Sequence, residues 1–434
     1  MGGGTGIGVS VSAEDLAMLS PAPLRSALLL GACLFAAAPA WAQSPGFRLQ
    51  DVTDTHLPET TLRNSMDVGV ADLEGDGDLD LVIPQEFRLN KLLLNQGGGR
   101  FVDASDRVPP LTVEELAGGP PQLQFPGAGH DSEDVSIADF DGDGVLDLII
   151  VAEDDVKFGR TNVHEYYRGE GGGTFARIFG PPLPDIEADA VAHADIDGDG
   201  DLDLILAGAG QDRILINDRG LFTDDTAARA PAEDRVTQDA EFADLDGDGD
   251  VDVVLGQEGG HALWINDGRG RFVEASARLP DAGNVEARKV TPADVDGDGD
   301  LDLYFSHVGW QERAPQDQLL INDGTGRFTD ETAARIPAET GTTLVARFGD
   351  LDGDGDLDLV RGEHGPLTVW LNDGQGRFTD VSDAVMSERA AGPNIALALA
   401  DFDGDGRLDL YVGQLKAGRP DESIRDRLFL NRPG

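Results

Sequence analysis

Asp195-Ile196-Asp197-Gly198-Asp199-Gly200-Asp201-Leu202-Asp203 is the stretch on which the reading of this chain turns. Carboxylates stand at positions 1, 3, 5 and 9, a glycine sits at 6, and the backbone carbonyl at 7 is free to point inward. A short loop surrounds a hard cation with oxygens in this way. Left empty, it would crowd carboxylates within a few Å, and each pair at about 4 Å costs roughly 1 kcal/mol in water and about 4 kcal/mol near a protein surface. The stretch reads as a calcium loop.

The same loop recurs, giving seven copies. The ligands are Asp72, Glu74, Asp76, Asp78 and Asp80 in the first, and Asp139, Asp141, Asp143, Val145 and Asp147 in the second. Asp195, Asp197, Asp199, Asp201 and Asp203 form the third; Asp244, Asp246, Asp248, Asp250 and Asp252 the fourth; and Asp294, Asp296, Asp298, Asp300 and Asp302 the fifth. Asp350, Asp352, Asp354, Asp356 and Asp358 make the sixth, and Asp401, Asp403, Asp405, Arg407 and Asp409 the seventh. The fourth residue of each set, at position 7, contributes its backbone carbonyl. Successive loops start 67, 56, 49, 50, 56 and 51 residues apart, the spacing of a repeated supersecondary unit.

Each repeat shows the same runs around its loop. An alternating run such as Val135-Ser136-Ile137-Ala138 precedes it, and an apolar run such as Leu202-Asp203-Leu204-Ile205-Leu206 follows, so the loop joins two short strands. A third run ends in asparagine, as in Arg213-Ile214-Leu215-Ile216-Asn217 and Gln318-Leu319-Leu320-Ile321-Asn322. A glycine turn such as Asp323-Gly324-Thr325-Gly326 leads to a fourth run that begins with an aromatic, at Phe101, Phe175, Phe222, Phe272, Phe328 and Phe378. The unit is a four-stranded antiparallel meander, and such units repeated around a circle are propeller blades. The last unit stops at Gly434 without a fourth strand, whereas Phe47-Arg48-Leu49-Gln50-Asp51-Val52-Thr53 is a fourth strand with no blade before it. The N-terminal strand is therefore expected to complete the last blade, with Leu49 where other repeats have phenylalanine.

The repeated Asp-x-Asp-Gly-Asp-Gly-x-x-Asp loop, flanked by the apolar strand and the Gly-x-Phe-x-Asp strand, resembles the FG-GAP or VCBS-type repeat of seven-bladed β-propellers similar to the integrin alpha N-terminal domain. The resemblance covers residues 46 to 431. It implies an all-β, seven-bladed propeller binding up to seven Ca²⁺ ions. Its members serve as adhesion modules, lectin-like binders and accessory domains of enzymes, so the fold alone names no ligand.

Composition agrees with this reading. Of the net charge of -49, the seven loops hold 33 acids and one base, leaving -17 for the rest of the chain. Seven divalent ions would still leave about -35, which argues against nucleic acid or anionic lipid as partners because both need a basic footprint. Arg25, the apolar run Ala27 to Ala38 and Ala40-Trp41-Ala42 describe a secretory signal cleaved after Ala42, behind an over-extended start at residues 1–17. Residues 43–434 then form one domain, periplasmic or extracellular. A lipoprotein-type box at Leu30-Gly31-Ala32-Cys33 is the weaker reading, since the stretch after Cys33 stays apolar. Cys33 is the only cysteine, so no disulfide staples the exported domain and metal takes that role.

Competing readings of the loop do less well. An EF-hand needs a bidentate Glu at position 12 and flanking helices, whereas position 12 here is apolar, as at Ile83, Leu206 and Phe305. Magnesium suits a cage with fewer protein oxygens. The copies differ on the opposite face, where Ala152 to Asn162, His307 to Asp317, Gly413 to Asp426 and the long Ala104 to Ser132 connection emerge. Lys157, Phe158, Arg160, Trp310, Gln311, Arg313 and Lys416 on those connections are the candidate ligand-face residues. The histidines form no His-Glu-x-x-His pair, and no Gly-x-Ser-x-Gly elbow occurs. The sequence thus points to a non-catalytic, monomeric binding or adhesion module for protein or glycan, with a calcium-dependent polysaccharide lyase or glycosidase as the alternative.

Overall fold

The computed structural model describes residues 45–58, 64–112, 128–179, 183–309, 316–338, 341–415 and 424–434. The signal segment and Cys33 lie outside them. Among the described residues no helix is long and apolar enough to cross a membrane.

Each acidic loop turns the chain between two antiparallel strands. Its glycines at positions 4 and 6 adopt φ of +74° to +82° and +87° to +98° in all seven copies, a left-handed conformation that side chains resist. Blade 1 is Gly69–Ala71, Asp80–Ile83, Lys91–Asn95 and Phe101–Asp103. Blade 2 is Ala128–Ala138, Asp147–Ala152, Glu165–Gly171 and Thr174–Ile178, with Glu86–Arg88 added along its first strand. Blade 3 comprises Ala188–Ala194, Asp203–Gly210, Arg213–Asn217 and Phe222–Asp224. Blade 4 comprises Arg235–Ala243, Asp252–Gln257, Gly260–Asn266 and Phe272–Glu274. Glu286–Ala293, Asp302–Val308, Gln318–Asn322 and Phe328–Asp330 form blade 5. Thr343–Gly349, Asp358–Glu363, Thr368–Asn372 and Phe378–Asp380 form blade 6. Blade 7 takes Asn394–Ala400, Asp409–Gln414 and Arg427–Pro433 from the end of the chain and Phe47–Asp51 from the beginning. Leu49 lies opposite Asn431 as Phe378 lies opposite Asn372, so it occupies the aromatic position of the repeat and is buried.

First strands touch in sequence from blade 1 to blade 7, and that of blade 7 returns to blade 1, which closes the ring. Apolar clusters fill the space between neighbouring blades. Leu204 and Leu206 pack with Ile149 and Val151 of blade 2, while Ile205 and Ala207 pack with Val253 and Leu255 of blade 4. Both faces of each second strand are covered, which is why these strands read as continuous apolar runs. The cluster joining blades 7 and 1 holds Tyr411, Phe402, Leu81 and Phe101.

The asparagine that ends each third strand is an inter-blade clasp. Asn322 donates through Nδ2 to the Leu301 carbonyl of its own loop (3.0 Å) and to the Leu245 carbonyl of the preceding blade's loop (2.8 Å). Asn217, Asn266, Asn372 and Asn431 reach back in the same way to Phe140, Ile196, Val295 and Leu351. Asn95 crosses the chain ends to Phe402. Blade 2 has Gly169 at this position, and there the Gly173 N–H donates to the Leu73 carbonyl at 2.9 Å instead. Truncating Asn322 to alanine should leave buried carbonyls without a donor and cost about 1–3 kcal/mol, read from urea midpoints.

Candidate metal centres

Backbone N–H groups preset the loop. The position-1 carboxylate accepts from the residues at 4 and 6; for Asp195 these are Gly198 (2.8 Å) and Gly200 (3.1 Å). The position-5 carboxylate accepts from position 7, as Asp199 does from Asp201 at 3.0 Å. Asp203, at position 9, takes the Ile196 N–H at 3.3 Å on one oxygen and the Asn217 N–H at 2.8 Å on the other. It thereby ties the loop to the third strand while lying fully buried.

Burial raises the position-9 acids in spite of those N–H groups, and the neighbouring loop carboxylates add to the shift. Asp203, Asp252, Asp302, Asp358 and Asp409 are pushed up to about 7, and Asp80 and Asp147 to about 6. Burial first, and the neighbouring carboxylates second, favour the protonated form at position 9.

The position-3 carboxylate carries the test of whether a cation fits. Arg229 binds one oxygen of Asp197 at 3.0 Å, Arg278 one of Asp246 at 3.2 Å, and Arg335 one of Asp296 at 3.1 Å. The other oxygen, Oδ1 in each case, is buried without a hydrogen-bond partner. Asp195, Asp197 and Asp199 present one oxygen each within 4.8 Å of one another, as do Asp244, Asp246 and Asp248; Asp139, Asp141 and Asp147; and Asp294, Asp296 and Asp302. Oxygens around a calcium at 2.3–2.6 Å are at most about 5 Å apart, so these sets match one ion's shell. The residues present fit the group.

The loops are unequal. Glu74 in loop 1 keeps the arginine partner, Arg107 at 2.7 Å, so the longer side chain preserves the contact. In loop 7, where sequence places Arg407 beside the ion, the structure adds a second cation. Arg407 pairs with Asp405, and Arg432 reaches Asp403 at 2.5 Å and Asp405 at 2.9 Å. Two guanidinium groups offset half the charge of its four aspartates, more than any other loop's partners do among the described residues.

The arginines of loops 3, 4 and 5 also bind the next blade. Arg229, Arg278 and Arg335 donate to the carbonyls of Arg269, Thr325 and Gln375 in the following glycine turn. They sit on short helical turns after the fourth strand, Thr226–Arg229, Ser276–Arg278 and Thr332–Arg335. The aspartate of the Phe-x-Asp run starts such a turn, as Asp224 accepts the Thr226 N–H at 3.1 Å. Sequence reading missed these arginines, although the recurring Thr-Ala-Ala-Arg was visible.

On the opposite face, Trp310, Gln311, Arg313 and Lys416 lie outside the described residues. Lys157 is exposed but engaged with Asp154 at 2.6 Å and Glu187 at 3.1 Å, and Phe158 packs near Phe87. Arg160 departs from expectation: it is 2% exposed, held by Asp155 and the Gly129 carbonyl, so it braces its connection and meets no external ligand. The alternating first strands hold a further surprise, because their polar residues face the centre of the ring. A bulge leaves one residue of each first strand from blade 2 to blade 5 unpaired, at Glu133, Asp189, Gln238 and Arg288. Arg288 bonds Gln238 at 2.6 Å and Glu133 at 3.1 Å across the ring.

A family model described as the FG-GAP-like repeat matches residues 195–255, 244–305, 310–361 and 350–412. No curated protein matches the chain. Among solved structures, the extracellular domain of a hybrid two-component system from B. thetaiotaomicron is similar at 12% identity and TM-score 0.51, over 89% of this chain and 42% of that one. BBS1N, in complex with ARL6DN, is similar at 11% identity and TM-score 0.50, over 89% of this chain and 97% of that one. These two share the fold. An Agrocybe aegerita lectin that recognises non-reducing terminal N-acetylglucosamine matches at 22% identity and TM-score 0.47, over 75% of this chain and 82% of its own.

Proposed function

The chain is a β-propeller of FG-GAP-like repeats, and on that premise we propose that it is an exported, calcium-loaded, non-catalytic binding module for a protein or glycan. The observation that carries the calcium reading is the buried, unpartnered Oδ1 of Asp197, Asp246 and Asp296. A buried carboxylate oxygen without a donor costs stability, and a bound cation removes that cost.

The ions hold the scaffold and the opposite face does the binding. The loop side repeats with little variation from blade to blade, whereas the other side carries connections of unequal length. Blade 3 joins its second and third strands directly after Gly210, whereas blade 2 takes the whole stretch from Ala152 to Glu165. Uneven loops on a rigid ring are where specificity concentrates. Export is supported by the leader-like first 42 residues and by a structural neighbour that is itself an extracellular domain.

A glycan array and a pull-down from envelope extract, each run with calcium and with chelator, test this reading. Calcium-dependent retention of a defined glycan or protein is the expected result. A calcium-dependent fall in polysaccharide viscosity, with new chain ends, would replace it with the enzymatic alternative.

A further inference from the structure

We propose that the chain holds a divalent transition-metal ion, zinc by its chemistry, outside the seven loops, between His261 of blade 4 and His307 of blade 5, with the Gln318 side-chain oxygen as a third ligand. His261 stands at the start of the third strand of blade 4 and His307 near the end of the second strand of blade 5, so both lie toward the face away from the loops. Their Nε2 atoms meet across the blade boundary at 3.3 Å. The rings are nearly parallel, at 15°, with centroids 5.3 Å apart. A tetrahedral ion with both nitrogens at about 2.05 Å would set the nitrogens about 3.3 Å apart and the ring centres about 5.3 Å apart. The two imidazoles already stand at that separation.

A second observation comes from where the protons sit. His307 Nδ1 donates to the Gln316 carbonyl at 2.8 Å, which leaves its Nε2 as a bare lone pair; metal-bound imidazoles are commonly fixed in this manner. Gln318 donates through its amide nitrogen to Asp330 at 3.2 Å and so presents Oε1 to His261 Nε2, also at 3.2 Å. Two acceptors, His307 Nε2 and Gln318 Oε1, therefore converge on the single proton of His261 Nε2. A cation in place of that proton would satisfy all three atoms. His261 would then carry its proton on Nδ1, which is buried and already without a partner, so no hydrogen bond is given up there.

The surroundings favour the metal-binding form of both rings. Burial holds them neutral, with His261 lowered to about 3 and His307 below its ordinary range. Phe305 lies face to face with His261, centroids 3.6 Å apart at 7°, and fixes that ring's orientation. Imidazole nitrogens suit zinc and its transition-metal neighbours, whereas the oxygen-only loops suit calcium. His261 is half-buried, so water can complete the shell.

Equilibrium dialysis of the full chain at micromolar zinc in millimolar calcium tests the site. The parent should retain one zinc per chain that His261→Gln and His307→Gln each bind at least about a hundredfold more weakly, and His56→Gln should match the parent. Cobalt in the same site should show the strong visible bands of a four-coordinate shell in the parent and lose them in both variants. Melting curves in calcium without zinc check that the variants are folded; should the fully buried His307 not tolerate replacement, His261→Gln still reads the site. The comparison holds whether or not the loops bind calcium. Equal zinc binding by the parent and the folded variants, or no zinc on the parent, would overturn the proposal and leave the two imidazoles as a hydrogen-bonded pair.

Discussion

Chelation should lower the melting midpoint by about 10 °C or more, and titrating calcium back should raise it continuously. An ion that binds only the folded state at a hundred times its dissociation constant contributes about 2.7 kcal/mol. Three such sites, loops 3, 4 and 5, supply about 8 kcal/mol, which is comparable to the whole stability of a typical domain. On a chain of this size each kcal/mol moves the midpoint by about 1–3 °C. The pH dependence should reverse with the ion. Without calcium the position-9 carboxyls titrate near 6 to 7 when folded, because burial and neighbouring carboxylates raise them, but near 3.9 when unfolded. The folded state then binds more protons, so stability is fully present below about pH 4 and is lost as pH rises through about 7. With calcium the ligands must be ionised, so raising pH over the same window should stabilise. Calorimetry at several pH values, with and without chelator, reads both effects; a midpoint indifferent to calcium would remove the ions from the account of stability.

The largest effect of a single substitution is expected at Asp252→Ala. The carboxylate accepts the Leu245 N–H at 3.1 Å and the Asn266 N–H at 2.9 Å and is 0% exposed. Truncation leaves both donors unpartnered inside the protein, at about 1–3 kcal/mol each, opens a cavity, and removes an ion ligand. A loss of about 4 kcal/mol is expected in saturating calcium, measured by urea unfolding. Alanine at the half-buried Asp250, which offers its carbonyl only, should cost less than about 1 kcal/mol. Equal losses at the two positions would show that the carboxylate at 9 does not carry the hairpin.

Much of the fold was legible because the repeat states its physics locally. Acids at fixed spacing with two glycines define the loop, and the continuous apolar run after it marks a strand covered on both faces. The stray strand Phe47–Asp51 was placed in the last blade because that blade lacks a fourth strand and the start of the chain has one to spare, and Leu49 opposite Asn431 agrees with that placement. What escaped the sequence depends on contacts between blades. Asn322 and Leu245 are 77 residues apart, and Arg288 and Glu133 are 155 apart. No period within one repeat pairs them. Alternation in the first strands marked them as strands but could not show that Arg288 meets Gln238 and Glu133 of other blades. Arg160 looked like a free surface cation because its partner Asp155 is hidden by a one-turn 3₁₀ segment, Val156–Phe158, that the sequence does not announce.

The anomalous difference map from crystals grown in calcium tests the central claim most directly. The account predicts a peak inside loops 3, 4 and 5, within about 2.6 Å of the position-3 Oδ1 atoms of Asp197, Asp246 and Asp296, and the weakest occupancy in loop 7 beside Arg432. Loops that keep this shape with only water at those oxygens would contradict it.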